Sequence, residues 1–212
     1  WGHGSHLKLV KNPLWYDADL VQIEVLDAPI VAEASTGMAM YENGEIDFAG
    51  DPGWGPPLPD MDRIKADPVL STELNIRPRL CTYYYGFVND KAPMDNDLVR
   101  KAFSYAIDRQ TLIDTLLKGE QVPANSFTCP CIFGNVAGDP EVGLLYDPEK
   151  ARQALADAGY PNGEGLPPIT LMINQSEAHL QIAQAIQAMW KEVLNVEVNL
   201  EQQEWAVYLQ TL

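Results

Sequence analysis

The apolar positions from Val99 onward recur with helical spacing. Val99, Ala102, Phe103, Ala106 and Ile107 fall at i, i+3, i+4, i+7 and i+8, the stripe of a helix with one buried face. Asn96 or Asp97 is placed to cap its start. A second apolar set, Leu112, Ile113, Leu116 and Leu117, runs to Gly119, a C-cap residue. At the joint stand Asp108 and Arg109, read as scaffolding: Asp108 caps the second segment, and Arg109 pairs with a carboxylate or with carbonyls. No nucleophile or second titratable partner accompanies them.

Asp147-Pro148-Glu149 opens another helix with an N-cap acid and proline at the first position, and Gly159 ends it. In the last third, "ITLMIN" reads as a strand, residues 177–194 as a helix and "VEVNLEQ" as a second strand. Ile182, Ala185, Ile186, Met189, Trp190 and Val193 make that helix's buried stripe. Strand, crossover helix and strand of this length imply a parallel, right-handed unit.

Period-2 alternation marks further strands. These are "LKLV" (Leu7 to Val10), "VQIEVL" (Val21 to Leu26), "EIDFA" (Glu45 to Ala49), "STELNIRP" from Ser71 and "LCTYYYGFVN" from Leu80. On the last, Tyr83 and Tyr85 share one face and Tyr84 takes the other. One face is core; the other can line a cleft, where tyrosine offers flat apolar area and a hydroxyl. Val31 to Gly44 reads as a short helix. Gly50 to Asp60 is a Gly/Pro loop that can present Trp54 to a ligand. The class is α/β, with a mixed sheet and flanking helices.

Composition narrows the function. With 14 basic against 30 acidic residues the formal charge is −16, which repels phosphate backbones and argues against nucleic acid. Three Cys are too few for a disulfide scaffold; Cys129 and Cys131 read as packed or loop thiols, and a pairing of Cys81 with either stays open. No metal centre, cofactor site or catalytic motif is marked out, and His179 is the only histidine beyond the first six residues. No apolar run is long enough to span a bilayer. Residues 1–6 ("WGHGSH") read as an added extension and 7–212 as a single lobe.

Several stretches together carry a resemblance. "KNPLWYDA" (Lys11 to Ala18), "YENGEID" (Tyr41 to Asp47) and Leu80 to Arg109, with its Tyr-rich run and Ala-Ile-Asp-Arg step, are three of them. "YDPEKARQALADAGYPNG" from Tyr146 and the stretch from Ile173 to Leu209 with its Gln-Glu-Trp step complete the set. In this order they resemble the extracytoplasmic solute-binding proteins of ABC importers, specifically the oligopeptide/dipeptide-binding family. The aromatic order Trp15-Tyr16 departs from the family's Tyr-Trp.

The resemblance implies a bilobed, hinge-closing (type II, Venus-flytrap) receptor, of which this chain is one incomplete lobe, the C-terminal one. It implies no catalysis and no cofactor, capture of an oligopeptide, delivery to the transmembrane subunits of a permease, and a monomer in the periplasm or on the cell surface as a lipoprotein. Membrane contact would run only through the permease or a lipid anchor outside residues 1–212. By the same resemblance Asn174, His179 and the stretch Tyr83, Tyr85 and Gly86 face the ligand. Gly86 stands where some relatives carry a Glu that meets cationic side chains. The alternative solutes are cello-oligosaccharides, which Trp54 would suit, a nickel chelate or haem. An enzyme with an acid pair in the cleft and an adaptor module are the readings from other classes.

Overall fold

The computed structural model describes residues 1–50, 55–77, 79–130, 132–136, 139 and 141–212. The chain divides into two compact units, Trp1–Pro57 and Leu58–Leu212.

In the first unit β1 (His6–Val10) pairs antiparallel with β2 (Val25–Pro29), with Val10 opposite Val25 and His6 opposite Pro29. The second strand begins four residues later than its alternation suggests. Lys11 and Glu24 prolong the pairing through a backbone bond of 2.9 Å and an ion pair of 3.4 Å. Of the first six residues, expected as an extension, His6 opens β1 and Gly2 is bridged to it. Helix α1 (Ala34–Glu42) ends where Gly44 takes φ +74°, and Glu45 N–H reaches back to the Met40 carbonyl (2.9 Å). That is a Schellman closure, which explains why Gly stands there. The expected strand over Glu45 to Ala49 does not form: alternation supplies a face but no partner, and Phe48 lies largely exposed.

The second unit holds the main core. Short helices α2 (Met61–Ala66) and α3 (Leu70–Glu73) come first, so the strand expected from Ser71 is replaced by the last turn of a helix and irregular chain. Asp67 makes the difference, accepting the Val69 and Leu70 N–H groups at 2.8 and 2.9 Å at the entry to α3.

Helix α4 (Asp97–Tyr105) is capped by Asn96 as its sequence requires. Asp108 caps α5 (Arg109–Leu112), accepting Thr111 N–H at 3.0 Å and its hydroxyl at 2.8 Å. Among the described residues Arg109 donates to the carbonyls of Ser104, Ile107 and Leu144 at 3.2–3.4 Å. The Asp-Arg step is scaffolding. A π-helical turn, Ile113–Leu117, follows and ends at Lys118 (φ 51°) rather than at Gly119.

Helix α6 (Pro148–Asp157) starts at the Asp147 cap, and β3 (Ile169–Asn174), α7 (Glu177–Leu194) and β4 (Val198–Gln203) form the expected parallel unit. Gly163 (φ +78°) is needed beneath it, because a Cβ would sit 3.1 Å from the Leu194 carbonyl oxygen and 3.2 Å from that of Asn195. Helix α8 (Trp205–Thr211), capped by Glu204, completes the order.

Among the described residues the antiparallel and parallel ladders belong to separate two-stranded sheets rather than to one mixed sheet. The core of the second unit gathers Val99, Ala102 and Phe103 of α4, Leu155 of α6 and Ile182, Ile186, Trp190 and Leu194 of α7. Because α4 ends at Tyr105, the Phe103 carbonyl has no partner four residues on. Trp190 supplies one: its indole N–H donates to that oxygen at 2.9 Å while its ring lies 5.0 Å from Phe103.

Candidate functional site: a tyrosine and histidine cluster at the end of β3

The stretch from Cys81 to Val88 joins no ladder among the described residues, so the strand expected there is absent. Its alternation is nevertheless real. Tyr85 and Phe87 pack against the core, while Tyr84 and Val88 are exposed. Tyr84 meets Phe127 on the other side, with ring centroids 5.2 Å apart, and the Thr82 hydroxyl bonds the Phe127 carbonyl at 2.9 Å.

Tyr83 and Tyr85 share a hydroxyl–hydroxyl hydrogen bond of 3.2 Å, their rings at 86° and 5.6 Å between centroids. The other side of Tyr83 meets His179, with centroids 5.4 Å apart. His179 stands in the first turn of α7, where Ser176 caps the helix and accepts the His179 backbone N–H (3.4 Å).

Its Nδ1–H donates to Asn174 Oδ1 at 2.7 Å, and the Asn174 amide is turned that way as its Nδ2 donates to the Gln175 carbonyl (3.4 Å). Asn174 is the last residue of β3 and pairs with Gln203, the last of β4. The cluster therefore sits where parallel strands end and a helix begins, the customary place for a ligand in an open α/β sheet.

Burial pushes both phenols up. For Tyr83 the adjoining Tyr85 phenol and, less strongly, Tyr208 add to the push; for Tyr85 the hydrogen bond to Tyr83 works against it and Tyr208 adds to it. Half of Tyr83 stays open to solvent, so water softens the effect. Burial moves His179 the opposite way, below the ordinary imidazole value, favouring the neutral ring. The cluster offers aromatic surface, neutral hydroxyls and an oriented imidazole.

Of the residues singled out in the sequence, Tyr83, Tyr85, Asn174 and His179 come together. Gly86 adjoins them, exposed, with nothing within 4 Å of where a Cβ would stand. Trp54 and Cys131 lie outside the described residues; Cys81 and Cys129 are free thiols. Tyr208 of α8 was missed, since nothing in its spacing ties it to a segment 123 positions earlier, the difference between 208 and 85. No group of His, Cys, Asp and Glu among the described residues could hold a metal ion. In the first unit an open groove of about 420 Å³ is lined by Leu9, Val10, Trp15, Val21, Ile23 and Leu26. The charges beside it, Lys11 and Glu24, are spent on each other.

No helix among the described residues is long and apolar enough to cross a membrane. The chain is similar to oligopeptide-binding protein OppA of Bacillus subtilis, 33% identical over 218 residues, covering all of this chain and 39% of that protein. It is similar in the same degree to periplasmic OppA of Salmonella typhimurium, 33% identical, covering 100% of this chain and 38% of the relative.

Among solved structures, the murein tripeptide binding protein MppA of Escherichia coli superposes with a TM-score of 0.85 at 28% identity, over 98% of this chain and 40% of that one. Haemophilus influenzae OppA in complex with RPPGFSPFR gives 0.77 at 26% identity, with the same coverage. The chain thus spans about two fifths of the length of the relatives it matches. The family model for bacterial extracellular solute-binding proteins, family 5 Middle, matches residues 1–212, and the chain belongs to that family.

Proposed function

We propose that this chain is one lobe of a longer solute-binding protein that captures oligopeptides outside the cytoplasm and delivers them to the permease of an ABC importer. It acts as a receptor and turns over nothing. Tyr83, Tyr85, Asn174 and His179 are its share of the ligand site, with Gly86 leaving room beside them. The observation that carries this reading is their convergence at the carboxyl end of β3, in a chain matched along its whole length by oligopeptide-binding relatives.

The chemistry suits an extended peptide. Main-chain groups can bond to hydroxyls, imidazole and the unladdered backbone of residues 81–88 irrespective of sequence, while exposed tyrosine surface tolerates varied side chains. A site built by one lobe alone is half a site, so the isolated chain binds weakly and closure against the other lobe supplies the rest.

The test is to purify the full-length protein without added ligand, denature it and identify the released small molecules by mass spectrometry. A ladder of mixed short peptides supports the reading. Hexose oligomers, haem or a nickel chelate overturn the ligand while leaving the family in place.

A further inference from the structure

We infer that a groove of about 430 Å³ between α2, α3 and the turn after the π-helical segment is a second small-molecule site, one that takes a free α-amino acid with an aliphatic side chain. Its lining residues are Lys65, Ser71, Leu74, Ile76, Arg77 and Glu120, none of them part of the cluster at the end of β3. The volume falls within the roughly 300–1,000 Å³ of small-molecule sites.

The lining combines three chemistries. Lys65 and Arg77 are cationic, Glu120 is anionic, and Leu74 and Ile76 are half-buried aliphatics. Lys65 Nζ donates to the Lys118 carbonyl at 2.5 Å, and Arg77 donates to the Ile76 carbonyl at 3.1 Å. Both acceptors are neutral, so these bonds position the cations without cancelling their charge. The guanidinium has further N–H groups in a planar fork that suits a carboxylate. On a chain with 14 basic against 30 acidic residues, two basic groups among the groove's three charges run against the general balance.

A second observation concerns how Glu120 is held. Lys118 (φ 51°) and Glu120 (φ 64°) both take the left-handed backbone, one on each side of Gly119. A residue with a Cβ resists that conformation, which persists where its surroundings impose it. Here two contacts fasten the turn to α2: Lys65 holds the Lys118 carbonyl, and Lys118 Nζ pairs with Asp62 of the same helix. The latch carries Glu120 to the groove that Lys65 and Arg77 line.

These charges select a zwitterion. A simple anion would face Glu120, and a simple cation would face Lys65 and Arg77. An α-amino acid answers both, its carboxylate on Arg77 and Lys65 and its ammonium on Glu120. Its aliphatic arm then covers Leu74 and Ile76, and the Ser71 hydroxyl can serve either charged end.

The experiment uses the full-length protein as purified and follows the Ile76 methyl signal by nuclear magnetic resonance, assigned with Ile76→Val. The probes are L-leucine, isocaproate, which lacks the ammonium, and isoamylamine, which lacks the carboxylate. Leucine is expected to move the signal saturably, with both truncated probes at least about tenfold weaker. Glu120→Gln and Arg77→Met should each weaken leucine about ten- to hundred-fold, with the thermal midpoint unchanged because both side chains are exposed.

Isocaproate matching leucine overturns the inference in favour of a simple anion site, and isoamylamine matching it does so in favour of a cation site. An Ile76 signal that leucine leaves unmoved, or leucine binding that both variants leave intact, overturns it outright. Should a variant prove less stable, the comparison of the three probes on the parent protein decides alone. The peptide reading is untouched by any of these results, since the solute released on denaturation is a separate measurement.

Discussion

Asn174 and His179, five residues apart across the turn from β3 into α7, are joined by a 2.7 Å hydrogen bond that fixes which imidazole nitrogen carries the proton. The amide oxygen can only accept, so Nδ1 carries the hydrogen in the neutral ring. This sets the orientation of the imidazole.

Burial lowers the His179 value below the ordinary 6.5. The unfolded chain therefore takes up this proton first as the pH falls. Stability is expected to decline as the pH drops through about 6.5 and to level off below the depressed folded value. Thermal unfolding between pH 8 and pH 5 checks this: His179→Gln should flatten that part of the profile, and a nuclear magnetic resonance titration should place the wild-type midpoint below 6.5. A midpoint above 6.5 would refute the sign.

Trp190 ties α7 to the end of α4 through both its ring and its indole N–H. Trp190→Phe removes ring volume and strands the Phe103 carbonyl. The expected loss is about 2–4 kcal/mol in urea unfolding. A loss under about 1 kcal/mol would show that the carbonyl finds another partner.

Asp108→Ala tests the scaffolding role of the Asp-Arg step. Losing the cap of α5 should cost about 1 kcal/mol. Peptide affinity of the full-length protein should not change; a large loss of affinity without loss of stability would instead place Asp108 in the ligand site.

Two glycines should behave differently. Gly163→Ala meets two carbonyl oxygens and a backbone conformation that alanine resists, and should destabilise by about 1–2 kcal/mol. Gly86→Ala meets open space and should stay within about 0.5 kcal/mol of the parent. Chemical denaturation of the two variants side by side separates them.

The helices α4 to α7 were legible in the sequence because their determinants are local. Asn96, Asp108, Asp147 and Ser176 each cap through a bond two or three residues along the chain, and the apolar stripe of α7 repeats within one turn. The β3–α7–β4 unit was legible for the same reason, since its length admits one pairing.

The alternating run around Tyr83 was not decidable alone. Its period correctly sorted Tyr83 and Tyr85 from Tyr84, but a strand also needs a neighbour's backbone, and none among the described residues provides it. Nor could spacing reveal that Tyr83 would meet His179, 96 positions later (179 − 83), or that Tyr208 would act on both phenols. The sequence by itself determined where α4, α6 and α7 begin and which faces they bury. Only the packing of α7 and the tyrosine segment onto a common core decided the site, because contacts between distant segments depend on where each one is buried.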